Sequence, residues 1–128
     1  RFCAVTEGKV YKSGHIPPNE LDSFLLPYKI KAVVDFLDPG VKNKALSSAR
    51  QADIDAEDKK IKAINRKYGL KIKHIHIPSK QIPTRKTLNA FYAVIDNAGN
   101  YPLLLHCYHG VGRSVLYGAI YRIEKEGW

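Results

Sequence analysis

The segment Pro102-Leu103-Leu104-Leu105-His106-Cys107-Tyr108-His109-Gly110-Val111-Gly112-Arg113-Ser114 gathers the residue types that could do chemistry. Cys107 is a nucleophile once deprotonated, and Arg113 follows six positions later. Gly110 and Gly112 allow the backbone between them a tight turn, in which successive N–H groups can converge on an anion. The leucines before the cysteine read as a short buried strand, and an apolar-periodic helix begins at Arg113. The strand fixes the sulfur, the loop aims its N–H groups, and the helix N-terminus adds positive potential. That order of parts suits a thiolate whose target is a phosphate. The competing reading, a buried and inert thiol, is the common fate of a lone cysteine. It weakens here because the histidine, both glycines, the arginine and Ser114 all fall together.

The elements that must position this run alternate along the chain. Lys9 to Ser13 reads as a short edge strand, and Asn19 as the N-cap of a short helix through Leu26. Ile30 to Leu37 is β-branched and nearly continuous, the pattern of a buried parallel strand. Asp38-Pro39-Gly40 ends it, and the polar stretch to about Ile54 is expected to be a mobile loop. Ala56 to Tyr68 predicts a helix with Ile61, Ile64 and Tyr68 on one side, closed by Gly69. Lys71 to Ile77 is a strand stopped by Pro78. A helix capped by Thr84 follows, with Leu88, Phe91 and Ile95 in one stripe and Gly99 at its close. Leu103 to His106 is the next strand, and Arg113 to Lys125 a helix with Leu116, Ile120 and Ile123 inward. Alternating strands and helices argue for an α/β fold, a mainly parallel central sheet flanked by helices. Ligands bind at the C-terminal strand edge of such sheets. The loops at Asp38 to Gly40, Pro78 to Pro83 and Cys107 to Arg113 are therefore the expected walls of the site.

A chain of 128 residues is expected to be one domain, residues 1–128, with a single core. No apolar run approaches the length of a membrane span. The first residue is Arg1 rather than methionine, so removal of an upstream, targeting segment stays open, and the compartment is undetermined between cytoplasm and periplasm. Cys3 and Cys107 stand in unlike contexts, so no disulfide is expected between them, and Cys3 reads as a small hydrophobe. The net charge of +9 is uneven: ten lysines and arginines lie between Lys59 and Lys86 against no carboxylate. A solvated helix face explains such a run as readily as a field that gathers anionic substrates.

His106-Cys107-x-x-Gly110-x-x-Arg113-Ser114 matches the signature of the cysteine-dependent protein tyrosine and dual-specificity phosphatases, H-C-x-x-G-x-x-R-[S/T]. Glu7-Gly8-Lys9-Val10-Tyr11-Lys12-Ser13-Gly14 and Ile30-Lys31-Ala32-Val33-Val34-Asp35-Phe36-Leu37 resemble the entry segment and a core strand of the compact, bacterial-type members. The resemblance implies the cysteine-based, dual-specificity-like phosphatase fold. It also suggests trimming at the C-terminal side, since members usually continue about one helix past the position of Trp128. It implies Cys107 as nucleophile, forming a cysteinyl-phosphate intermediate, and Arg113 as a bidentate phosphate clamp. Backbone N–H groups of Tyr108, His109, Gly110, Val111, Gly112 and Arg113 would hold the remaining phosphate oxygens. Ser114 would assist departure of the sulfur, and His106 would orient the loop and help hold the thiolate. No metal and no cofactor is required. The implied partner is a phosphorylated substrate, foremost protein phosphotyrosine with dual specificity open. Inositol phosphates, phosphoinositides or RNA 5′ ends are the alternative class, and weak phosphate binding without turnover a third. Nucleic acid is not required, and a monomer is expected.

One departure from the family pattern stands out. The general acid of the family is an aspartate in the loop that corresponds here to Pro78-Ser79-Lys80-Gln81-Ile82-Pro83, which holds no carboxylate. Asp38, or Asp53 or Asp55 from the expected mobile loop, could substitute. Alternatively, the leaving group needs little protonation. His74-x-His76 places two imidazoles on one strand face; with no third ligand nearby, a surface or packing pair is the reading.

Overall fold

Ala32-Val33-Val34-Asp35 and Leu103-Leu104-Leu105-His106 are buried on both faces, which an apolar run without alternation requires. The computed structural model describes residues 2–40, 42–107 and 112–128. In chain order its elements are β1 (Cys3–Thr6), β2 (Val10–Ser13), α1 (Leu21–Leu25), β3 (Ala32–Asp35), α2 (Lys44–Tyr68), β4 (Lys73–His76), α3 (Arg85–Ile95), β5 (Leu103–His106) and α4 (Arg113–Glu126). The sheet order is β1-β2-β5-β3-β4, parallel throughout except for the β1–β2 pair. The fold is therefore α/β with a mainly parallel sheet, as the alternating pattern predicts.

Alternation along the strands sorts the core into two layers. Ala32, Val34, Phe36, Leu103, Leu105 and Cys107 face the layer shared with Phe91 of α3 and with Tyr117 and Tyr121 of α4. Val33 and Leu104 face the other, with Leu21 and Leu25 of α1 and Ile61 and Ile64 of α2. The strand that leads to the cysteine is central: β5 pairs with β2 on one side and β3 on the other.

Several expectations need correction. The strand expected in Lys9 to Ser13 is present as β2 but is not an edge: β1 pairs outside it, and Cys3 on β1 is exposed rather than packed. Asn19 caps nothing, because Pro18–Glu20 form a 3-10 turn whose entry has no side-chain cap. The expected mobile loop is helix, since α2 starts at Lys44 and runs 25 residues. Its first half is mostly small and polar, so it carries too little apolar periodicity to be read, although alanine, glutamine and arginine favour helix. The inward face of α4 is only partly the expected one: Ile120 packs against the core, but it is not the centre of the face. Arg113, Ser114, Tyr117, Gly118 and Tyr121 are buried, whereas Ile123 is exposed. Two tyrosines fill the core there, and a Cβ at Gly118 would stand 3.1 Å from Val5, so the helix lies close to β1. α3 ends at Ile95 rather than at Gly99, which lies in a separate 3-10 turn, Ala98–Asn100, and Tyr68 at the end of α2 is exposed rather than packed with Ile61 and Ile64. The Thr84 cap is as expected: its hydroxyl accepts from the Thr87 N–H at 3.2 Å.

Candidate active site

Three strands end side by side, and the chain leaving them makes the site. Cys107 follows β5 directly, is buried, and points into the α3–α4 layer. Its Sγ lies 3.5 Å from Oγ of Ser114 in the first turn of α4, a hydrogen-bonding distance for sulfur. Arg113 opens that helix and is almost completely buried. Its guanidinium donates from one terminal nitrogen, Nη1, to the Phe36 carbonyl at 3.2 Å and the Ser79 carbonyl at 2.8 Å. Arg113 thus fastens the chain after β3 to the chain after β4. Nε of the same guanidinium is buried without a hydrogen-bond partner among the described residues. A donor left unmatched in so enclosed a place is suited to an anion.

The floor below is aromatic. Phe36 stacks on Tyr117 with ring centroids 4.2 Å apart, and Phe91 meets Tyr117 edge-on at 4.9 Å. The Tyr117 hydroxyl lies 2.9 Å from Ser79 Oγ, so the floor holds the same residue whose carbonyl receives Arg113. Gln81 closes the contact with the cysteine loop, because a Cβ at Gly112 would stand 3.1 Å from its Oε1. The three loops expected at this edge therefore meet. Of the predicted phosphate-binding residues, Gly112 and Arg113 are placed here; Tyr108, His109, Gly110 and Val111 lie outside the described residues.

The candidate acids separate. Asp38 lines a cavity of about 360 Å³ between the two outer loops and the start of α3, together with His76, Lys80, Thr84 and Lys86. Its Oδ1 accepts from the Gly40 N–H at 2.9 Å. Asp53 and Asp55 belong to α2 rather than to a mobile loop, and Asp55 accepts from Gln51 one turn before it. A loop swing that would carry them to Cys107 is therefore not available. The basic stretch divides as well. Lys60 and Lys62 pair with Asp22 and Asp58, and Lys73 donates to Asn100, while Lys80 and Lys86 line the cavity beside Asp38.

Behind the cysteine, on the opposite face of the sheet, is a buried ionic cluster. Glu57 Oε2 accepts from Nε2 of His106 at 2.8 Å and from Nε2 of His74 at 2.9 Å. Asp35 Oδ2 stands 3.7 Å from both nitrogens, too far for a hydrogen bond and close enough for charge attraction. Asp58 meets Nδ1 of His74 at 3.1 Å. Burial opposes charge on His74, but Asp35, Glu57 and Asp58 around it push its pKa up to about 10. Burial would likewise raise the Glu57 carboxyl; the two imidazoles outweigh it and hold Glu57 well below the usual carboxylate range. His74 is thus a packing histidine, as read, but carboxylates that are distant in sequence surround it. His76 is separate, and its Nε2–H donates to the Leu37 carbonyl at 2.6 Å. Asp35, Glu57 and His106 are of metal-ligand type, with ligand atoms within 4.8 Å of one another. Glu57 already accepts from both imidazoles, however, so an ion would have to displace those protons.

A family model described as DSP-PTPase phosphatase fused to NAD+ kinase matches residues 5–126. The chain belongs to that family. Several solved structures share the fold of this PTP-NADK member. The catalytic core of the PP-IP phosphatase Siw14 from S. cerevisiae matches with a TM-score of 0.64 at 18% identity, over 99% of this chain and 67% of that one. A DUF442 protein from Shewanella putrefaciens CN-32 gives 0.67 at 16% identity, over 98% and 72%. TpbA of P. aeruginosa, in complex with phosphotyrosine, gives 0.57 at 18% identity, over 100% and 70%. No curated protein matches the chain. Among the described residues no helix is long and apolar enough to cross a membrane.

Glu57, Asp35, Ser79 and Gln81 are the site-supporting residues that sequence reasoning does not find in this PTP-NADK domain. Glu57 had a usable signal. It falls in step with Ile54, Ile61 and Ile64 at helical spacing, where a hydrophobe belongs. The ionic cluster also makes stability pH-dependent. Folded His74 keeps its proton to about pH 10, whereas an unfolded chain releases it near the ordinary value of 6.5. Its contribution is therefore complete below 6.5 and lost as pH rises through 10. Thermal melts at pH 6 and pH 10 are expected to show a lower Tm at pH 10, with a smaller drop in His74→Asn; an equal drop in the variant excludes this origin.

Proposed function

We propose that this domain hydrolyses phosphate monoesters through a cysteinyl-phosphate intermediate, with protein phosphotyrosine as the foremost substrate and phosphoserine or phosphothreonine as weaker ones. The observation that carries the reading is the arrangement of Cys107, Ser114 and Arg113. Sulfur and hydroxyl are 3.5 Å apart at the start of a 14-residue helix, and the arginine beside them is anchored through one nitrogen, with Nε unmatched among the described residues. Family membership and the phosphotyrosine-bound TpbA structure, which shares the fold, support it.

In this mechanism the Cys107 thiolate attacks phosphorus, the S–P bond forms, and the bond from phosphorus to the leaving oxygen breaks. Arg113 and the N–H groups of the loop balance charge on the phosphate oxygens. Water then attacks phosphorus, releasing inorganic phosphate and the thiolate, and Ser114 donates to the departing sulfur. The leaving oxygen takes its proton from Asp38, whose cavity lies between the chain after β3 and the chain after β4, the two segments that Arg113 fastens together.

Comparison of leaving groups tests this. Wild type should turn over p-nitrophenyl phosphate and phosphotyrosine peptide. Asp38→Asn should lose about 10²–10⁴-fold on an alkyl phosphate and little on p-nitrophenyl phosphate. Equal losses on both remove Asp38 from the acid role, and no turnover of any monoester removes the phosphatase reading.

A second reading, a polyanionic substrate such as an inositol polyphosphate, is favoured by Lys80 and Lys86 in the cavity beside Asp38. The fold shared with the PP-IP phosphatase Siw14 is consistent with it. A kcat/KM preference for the polyanion over phosphopeptide that vanishes at high salt decides for this reading.

A further inference from the structure

Glu57 is a carboxylate in the buried stripe of α2, 5% exposed between Ile54 and Ile61. Such a group is costly to bury unless it is paired and hydrogen-bonded, and this one is paired twice. One of the pairs reaches the residue next to Cys107. We propose that Glu57 is a positioning residue for Cys107, acting through His106. The proposal rests on the reading of Cys107 as nucleophile.

The geometry excludes direct contact as the route. Side chains alternate across a strand, so the His106 imidazole meets α2 while the Cys107 sulfur faces α4, on the other side of the sheet. What Glu57 controls is the ring between. By accepting from Nε2–H, its carboxylate selects the state of His106 in which Nε2 carries a proton. The ring cannot turn over without losing that bond. Nδ1, the ring nitrogen nearer the main chain, is then buried at the root of the cysteine loop with no hydrogen-bond partner among the described residues. The peptide that carries Cys107 therefore leaves β5 from a fixed point. The amide of Cys107 is held in the same way from the other side, donating to the Ser13 carbonyl at 3.4 Å.

Charge reinforces position. Burial opposes a second proton on His106, but the Glu57 hydrogen bond and charge, helped by Asp35, outweigh it. An imidazolium behind the cysteine favours the thiolate. The groups that face Glu57 are His106 on β5, His74 on β4, Asp35 on β3 and, on α2 itself, Asp58, which Lys62 pairs. With glutamine at 57, Asp35 and Asp58 still hold the His74 proton. The proton released is the one on His106.

The experiment needs no phosphatase substrate, so its failure is separable from failure of the proposed function. Cys107 alkylation by iodoacetamide is followed by peptide mass spectrometry between pH 4.5 and 8, in a Cys3→Ser background because Cys3 is exposed. Glu57→Gln is expected to raise the alkylation midpoint by about one pH unit and to slow the reaction at pH 6 about tenfold. Glu57→Asp should recover part of the shift. In an active enzyme the acidic limb of kcat/KM should move with it. A folded Glu57→Gln protein with the wild-type midpoint overturns the proposal, even if its Tm falls. Should that variant not fold, ¹⁵N-imidazole spectra of the wild type decide. Nε2 of His106 should be protonated throughout pH 5–8, and a His106 protonated on Nδ1 alone overturns it.

Discussion

Cys107→Ser should abolish turnover, by on the order of 10⁴-fold or more, while phosphate-bearing ligands still bind. The asymmetry follows from where the work is divided in the proposed mechanism. A serine hydroxyl at this position has nearly the same size and can keep its contact with Ser114 Oγ, now 3.5 Å from the sulfur. At neutral pH, however, it is not an anion, and no base in the described site stands ready to make it one. Arg113 and the N-terminus of α4 do not depend on the sulfur, so the proposed anion site should survive. Phosphotyrosine peptide binding by calorimetry, beside turnover of p-nitrophenyl phosphate, measures both halves. If wild type turns over nothing and the serine variant binds as tightly, the domain is a phosphate-binding module. If the serine variant retains wild-type turnover, Cys107 is not the nucleophile.

Arg113→Lys should lower kcat/KM by about 10²–10³-fold, comparable to loss of an oxyanion-stabilising donor. Lysine keeps the charge, and a conservative reading of the substitution would expect little. In the proposed mechanism the guanidinium has two tasks on separate nitrogens. Nη1 holds the Phe36 and Ser79 carbonyls, and Nε is the donor unmatched among the described residues. An ammonium can satisfy the carbonyls or reach an anion, but it lacks the planar fork that does both. The two losses are distinguishable. Failure at the carbonyls loosens the loops after β3 and β4 and lowers Tm, whereas failure at the anion weakens inhibition by inorganic phosphate. Near wild-type kcat/KM sinks the clamp assignment.

The legibility of this chain in its sequence was uneven for physical reasons. β5 and the Thr84-capped α3 were readable because local signals, a leucine run and a capping box, agree with the tertiary fold. The Cys107–Arg113–Ser114 constellation was readable because its parts are close in sequence. The first half of α2 was not, since a helix that buries few large side chains leaves little periodic trace. The α4 face is not legible because Tyr117 and Tyr121 bury better than Ile123, the Tyr117 hydroxyl finding Ser79 Oγ within the core. Glu57 joins His74 and His106 across 17 and 49 residues, and no spacing rule spans such distances. The missing acid is a further case, because the replacement candidate sits on a different loop.

The position of β5 has a consequence for how the molecule comes apart. Its amides and carbonyls are shared between two parallel neighbours, and both of its faces are covered. Local opening begins at poorly covered edges, here β1 and β4, and reaches a central strand last. The sulfur is therefore rooted in the part of the chain that gives way only with the whole. The arginine contacts, which tie together two outer loops, belong to a layer that can open earlier. In the proposed mechanism, partial unfolding would disarm the site by releasing the Arg113 clamp while the Cys107 sulfur still stood in place.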